Sequence, residues 1–170
     1  ELKNHRELPE KTWATNGTGG KRKKNIINSL FMDTNELEKS IRERYKRYDE
    51  IAEKEVKYEE YLCDDADIVL VAYGITSRIC KTAITAARAK GIRAGLLRPI
   101  TLWPYPKKQL LALTETAKQF LVVELNMGQM VDDVKVATEC RRPVSFYGRT
   151  GGMIPSPAEV LAEIEKLANA

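Results

Sequence analysis

Histidine is almost missing from this chain. His5 is the only one in 170 residues, so imidazole-based acid–base chemistry and histidine metal ligation have almost nothing to work with. Cysteine is scarce and scattered. Cys63, Cys80 and Cys140 are an odd set with no CxxC spacing, which argues against a disulfide framework and against a zinc or iron–sulfur site within this chain. No apolar run approaches the ~20 residues of a membrane span, and no secretory signal pattern is visible. A cytoplasmic location follows as the expectation. Methionine is absent from position 1, where Glu1 stands, so the sequence reads as a piece of a longer polypeptide.

What is present is a soluble globular balance, 43% hydrophobic and 31% charged, in a length suited to about one domain. The net charge of +4 owes much to Lys21-Arg22-Lys23-Lys24. Four basic residues without an aromatic platform or a basic face read as a solvated loop, not a nucleic-acid site. Gly17-Thr18-Gly19-Gly20 beside them lacks the preceding strand and the GxxxxGK[ST] spacing of a phosphate loop. Residues 1–32 therefore read as a connector.

Asp33 opens a helix, with Glu36 completing a capping-box spacing. Leu37, Ile41, Tyr45, Tyr48 and Ile51 form a narrow apolar stripe on it, and Glu38/Arg42 and Glu43/Arg47 are spaced for i,i+4 support. Residues 33–62 are thus a charged helix and a lead-in. The α/β domain is expected over 63–170.

That domain is organised around Asp67–Gly74, a continuous apolar run rich in β-branched residues, as a strand buried on both faces would be. A helix over about Thr76–Lys90 follows, with Thr76-Ser77 as its cap and Gly91 as its stop. Then come strand 92–97, helix 106–118, strand 120–124, helix 127–139 with Asn126 as cap, strand 144–147 and helix 157–167 capped by Ser156. Four strands alternating with four helices predict a three-layer α/β/α open sandwich with a mostly parallel sheet.

Function in such a sheet gathers at the C-terminal ends of the strands. Thr76 and Ser77, and the glycine-rich stretch Gly148, Arg149, Gly151, Gly152, could each hold an anion or simply form turns. Only the first glycine of a dinucleotide fingerprint is matched, and Arg98 occupies the place of its ribose-binding acid. Leu102, Trp103, Pro104, Tyr105 and Pro106 form a rigid proline-aromatic loop, which either closes over its own sheet or presents anchors to a partner. Glu124 could serve as an acid or base, but no second carboxylate or histidine lies near it in sequence. Asn126, Met127, Gly128 and Gln129 complete that turn. No nucleophile–base pair or metal set emerges, so no catalytic residue is assigned.

Read together, Asp64–Gly74, Leu97–Pro106, Leu121–Met130, Phe146–Arg149 and Gly151-Gly152 closely resemble the C-terminal part of the alpha subunit of 2-oxoacid:ferredoxin oxidoreductases, most closely the 2-oxoisovalerate type. Leu8–Ala14 and Asn25–Leu30 resemble the connector of that subunit. The resemblance implies a transketolase C-terminal-like domain. It also implies a parent complex that decarboxylates a 2-oxoacid on thiamine diphosphate and magnesium, passes electrons through iron–sulfur clusters to ferredoxin and forms an acyl-CoA. On that reading this chain binds no cofactor itself and contacts the beta- and gamma-type subunits through Leu102–Pro106 and Asn126–Gln129. The alternative is an independent domain holding a phosphate-bearing ligand such as coenzyme A.

Overall fold

The computed structural model describes residues 9–170, so His5 and Leu8 fall outside the described residues. Two compact units divide at Glu43/Arg44. In the first, the Arg22 guanidinium donates to the Ala14 carbonyl at 2.8 Å and Asn25 donates to the Thr12 carbonyl, which closes the glycine-containing loop on itself. Helix α1 (Thr34–Lys54) begins there and continues into the second unit. The Asp33 carboxylate accepts from the Glu36 amide at 2.9 Å, as the sequence predicts, and Arg42 pairs with Glu38 at 2.6 Å.

The second unit is an α/β sandwich. Its further elements are β1 (Tyr58–Tyr61), β2 (Ile68–Val71), α2 (Gly74–Ala89), β3 (Ala94–Pro99), α3 (Lys107–Leu113), β4 (Gln119–Glu124), α4 (Met130–Ala137), β5 (Val144–Gly148) and α5 (Pro157–Ala168). The strands run in the order β1-β3-β2-β4-β5, all parallel except β1, which is antiparallel to β3.

The three central strands, β3, β2 and β4, alternate their apolar side chains between two cores. Val69, Val71, Leu97, Phe120 and Val122 face α3 and α4, while Ile68, Leu70, Leu96, Leu121 and Val123 face α2 and α5. Full burial of one such side chain is worth about 2 kcal/mol. The handedness rule explains which helix lies where. The steps β3 to β4 and β4 to β5 run in the direction opposite to β2 to β3, so right-handed crossovers put α3 and α4 on one face and α2 on the other.

The antiparallel strand is a correction. Residues 58–61, expected as a lead-in, join the sheet ahead of residue 63, where the α/β domain was expected to begin. Tyr-Glu-Glu-Tyr is short and carries two carboxylates, the composition by which an edge strand avoids further pairing. Glu59 pairs with Lys81 and Arg98, and the Lys81 hydrogen bond leads in holding its carboxyl below the usual range.

Gly91 ends α2 as expected. Its φ is 81°, and the amides of Gly91 and Ile92 bond back to Arg88 and Ala87 in a Schellman arrangement.

At the N-terminal end of β2, Asp67 receives a two-pronged hydrogen bond from Arg93 at 2.8–3.0 Å and an ion pair from Lys118 at 3.3 Å. The Arg93 hydrogen bonds lead in holding its carboxyl below the ordinary range. A depressed folded-state pKa adds stability that is complete above the unfolded value of about 4 and lost as pH falls through the folded one. Asp67→Asn is expected to cost about 1 kcal/mol near neutral pH. The gap from the wild type should close as urea melts are repeated at pH values falling below about 4. A constant gap across that range would remove the ion pair as its cause.

Candidate functional edge

The strand order reverses between β2 and β4, because the chain steps from β2 to β3 on one side and returns to β4 on the other. The crevice at their C-terminal ends is where ligands of open α/β sheets bind. Four connections border this edge.

After β2, α2 starts directly at Gly74, whose φ of 57° makes the turn. Thr76 and Ser77 are not its cap. They lie inside its first turn, buried, and their hydroxyls donate to the carbonyls of Tyr73 and Gly74. Neither hydroxyl is offered to an anion.

After β3, the proline-aromatic loop is pinned from behind. The amides of Ile100 and Thr101 donate to the Lys57 carbonyl, the Lys57 amide donates to Thr101 Oγ1, and that hydroxyl donates to the Pro104 carbonyl at 2.7 Å. Pro104 and Pro106 are buried, so they frame the loop without offering contact surface, and Trp103-Pro104 is cis. Trp103 is 59% exposed and Leu102 52%. Tyr48 of α1 meets the Trp103 ring edge-on at 5.6 Å. Tyr105 is half-buried in the α3/α4 core with its hydroxyl unpaired, and burial raises its pKa.

After β4, the expected cap is replaced by a different one. Helix α4 begins at Met130, not Met127, and Asn126 does not cap it. Glu124, 2% exposed at the end of β4, reaches over the turn instead. Its carboxylate accepts from the amides of Gln129, Met130 and Val131 at 2.9–3.1 Å and from Asn126 Nδ2 at 3.1 Å. An anion at a helix N-terminus satisfies donors that have no partner within the helix and complements the helix dipole. All its bonding capacity is engaged, which weighs against an acid or base role. Asn126 Oδ1 accepts from Gly128, and the turn leaves Met127 82% exposed. The bare signal in the sequence was an acid closing an apolar strand just before a helix.

After β5, Arg149 is occupied as well. It pairs with Glu159 of α5 at 3.2 Å, and Tyr147 donates to the same carboxylate at 3.2 Å. Ser156 caps α5 in a full capping box with Glu159, as expected. The Ser156 amide leads in holding the Glu159 carboxyl low, and burial leads in raising Tyr147. Gly148 allows close approach: a Cβ there would lie 2.4 Å from the Asn126 carbonyl oxygen. Gly151 and Gly152 are exposed, with φ of 63° and 84°.

The edge is therefore rich in exposed apolar side chains, while Thr76, Ser77, Glu124 and Arg149 are already bonded within the chain. Ile75, Ile100, Leu102, Trp103, Leu125, Met127, Met153 and Ile154 all lie on these four connections or at their margins, each 43–82% exposed. The thiols do not fit an iron–sulfur cluster. Cys63 and Cys80 are buried on opposite faces of the sheet, where desolvation raises them to about 11 and about 12, and Cys140 is exposed. Among the described residues no three His, Cys, Asp or Glu side chains converge as a cation site, and no helix is long and apolar enough to cross a membrane.

Comparison with known proteins accounts for this architecture. The ketoisovalerate oxidoreductase subunit VorB of Methanothermobacter marburgensis is 43% identical over 160 residues, 94% of this chain and 45% of that subunit. The 2-oxoglutarate synthase subunit KorA of the same organism is 39% identical over 101 residues, 59% of this chain and 27% of that subunit. This chain thus spans less than half the length of these relatives. Among solved structures, the 2-oxoglutarate:ferredoxin oxidoreductase of Magnetococcus marinus, determined with 2-oxoglutarate, coenzyme A and succinyl-CoA bound, superposes with a TM-score of 0.70. It is 21% identical, and the match covers 80% of this chain and 24% of that one. A split-gene transketolase superposes at 0.55 with 19% identity over 65% of this chain and 40% of its own, a likeness of fold. Residues 66–160, which hold β2 to β4, β5 and the start of α5, match the pyruvate:ferredoxin oxidoreductase core domain II, and on that match the chain belongs to this oxidoreductase family.

Proposed function

We propose that this chain is the assembly portion of one subunit of a 2-oxoacid:ferredoxin oxidoreductase, and that its role is to position other parts of the complex. The parent reaction is the oxidative decarboxylation of a 2-oxoacid to an acyl-CoA with electrons passed to ferredoxin. Thiamine diphosphate, magnesium, clusters and coenzyme A are held by other chains or domains, in the cytoplasm. The identity to VorB supports a branched-chain 2-oxoacid such as 2-oxoisovalerate. The observation that carries the reading is the apolar edge. Eight exposed large side chains sit where an α/β sheet usually displays polar, ligand-binding groups, and Glu124 and Arg149 are already engaged.

Leu102, Trp103 and Tyr105, with Asn126, Met127, Gly128 and Gln129, are the proposed contacts, framed by Pro104 and Pro106. Trp103→Ala in the full-length subunit is expected to weaken binding to its partner subunit by about 30-fold, the effect of losing an interface anchor of roughly 2 kcal/mol. Titration of purified subunits reads this directly, and an unchanged Kd would defeat the reading. The same complex, offered 2-oxoisovalerate, 2-oxoglutarate and pyruvate with coenzyme A, should turn over the first most efficiently. Phosphate capture by Thr76, Ser77, Gly148, Arg149, Gly151 and Gly152 gains no support from a geometry in which two hydroxyls and the guanidinium are already bonded.

A further inference from the structure

Helix α1 has no buried residue along its length. Its C-terminal half reaches the proline-aromatic loop, where Tyr48 meets Trp103. Between them lies a cavity of about 890 Å³, walled by residues 49–56 on one side and by the loop and the start of α3 on the other. The chain is next anchored at Lys57, whose amide donates to Thr101 Oγ1 and whose carbonyl accepts from Ile100 and Thr101. Glu55 and Val56 join the helix to that anchor and belong to no helix or strand.

The two walls carry opposite charges. Asp49 and Glu53 line the cavity from α1, and Lys107 and Lys108 line it from α3. Among the described residues none of these four side chains has an ion-pair partner, whereas the neighbouring Lys54 pairs with Glu50 at 3.8 Å. Each set is also badly placed within its own helix. Asp49 and Glu53 stack like charges at i,i+4, and Glu53 sits in the last turn, against the dipole. Lys107 and Lys108 open α3, whose first turn has no acidic residue. Both faults are relieved if the two sets meet. Tyr105 and Gln109, in the same wall as the lysines, each keep a buried polar atom without a partner, as an incompletely packed wall does.

We propose that residues 44–54 are a hinged strap, which turns at Glu55–Val56 and closes the cavity by pairing Asp49 and Glu53 with Lys107 and Lys108. The arrangement described above is its open state, and the closed one is in equilibrium with it. Closure draws the strap across Leu102 and Trp103, two of the contacts proposed above, and hides them from the partner subunit. That consequence rests on the assembly role, but the closure itself does not. The strap is a built-in competitor for the loop edge, and because its charges are exposed, salt weakens it.

The full-length subunit, without its partner, tests the closure. In a Cys140→Ser background, Ala52→Cys/Gln109→Cys puts one thiol on each wall and leaves all four charges in place. Under mild oxidation, peptide mapping should find a disulfide between the two substituted positions. It should form about tenfold more slowly after Lys107→Glu/Lys108→Glu, because two exposed pairs are lost and repulsion is added. Adding Asp49→Lys/Glu53→Lys should restore the rate. No disulfide, a rate indifferent to charge reversal, or a reversal that the second pair of substitutions does not rescue overturns the proposal. The locked subunit should then bind its partner more weakly until the disulfide is reduced. Unchanged affinity would refute the masking and the loop edge with it, while charge-dependent closure would stand.

Discussion

Replacing Glu124 with alanine is expected to destabilise the α/β unit by about 3 kcal/mol or more. The carboxylate accepts three backbone amides and the Asn126 side chain, and it is almost wholly buried. Hydrogen bonds to a charged group are worth about 1.5–3 kcal/mol each, and donors left without a partner out of reach of water carry their own cost. Part of the loss is recovered as the start of α4 frays and water reaches the freed amides. Glu124→Gln separates charge from shape. One amide oxygen still accepts, but the NH2 group now faces backbone donors, so a cost of about 2 kcal/mol is expected. Urea unfolding of the three proteins measures both, and variants within about 0.5 kcal/mol of wild type would show that the carboxylate is not what holds the turn. The turn carries Met127 and Gln129, two of the contacts proposed above, and on that proposal partner binding should weaken alongside stability.

Gly148→Ala is expected to cost about 2 kcal/mol, for a steric reason. The added Cβ would lie 2.4 Å from both the Asn126 carbonyl oxygen and Phe146 Cζ, and 2.9 Å from Phe146 Cε1. The ring can swing aside, but the carbonyl belongs to the turn that Glu124 holds. Relief therefore requires the end of β5 to move away from β4. The expected signature is a lower melting temperature together with faster amide exchange at Arg149, whose amide bonds to the Glu124 carbonyl. By contrast, Gly151→Ala meets no atom within 4 Å and pays only for its positive φ, so it should cost less. Equal losses for the two variants would argue that backbone conformation, not contact, governs both.

The central sheet was readable because strands buried on both faces need apolar residues at every position, and Ile68–Val71 and Phe120–Val123 supply them. The last helix was readable because its cap is local, Ser156 and Glu159 lying three residues apart. The start of α4 was misplaced by three residues for the opposite reason. Its cap comes from the preceding strand, five to seven residues back, and local spacing points to Asn126 instead. Tyr58–Tyr61 was missed as a strand because charge on an edge erases the hydrophobic signal that marks central strands. Thr76 and Ser77 were misread because a hydroxyl near a helix start can cap it or bond back within its first turn, and only the backbone decides which. The apolar edge was visible in part, in Leu102 and Trp103. Gathering Ile75, Leu125, Met127 and Ile154 beside them is the work of the topology.

That topology also sets the route by which the polypeptide enters the sandwich. A strand parallel to its neighbours would bring the preceding chain in at the N-terminal ends of the strands, a full sheet length from the crevice. Because β1 runs the other way, Tyr58 lies beside Pro99, and residues 44–57 arrive at the loop edge itself, where Tyr48 touches Trp103. One reversed strand of four residues thus brings the C-terminal half of α1 to the crevice and not to the opposite end of the sheet.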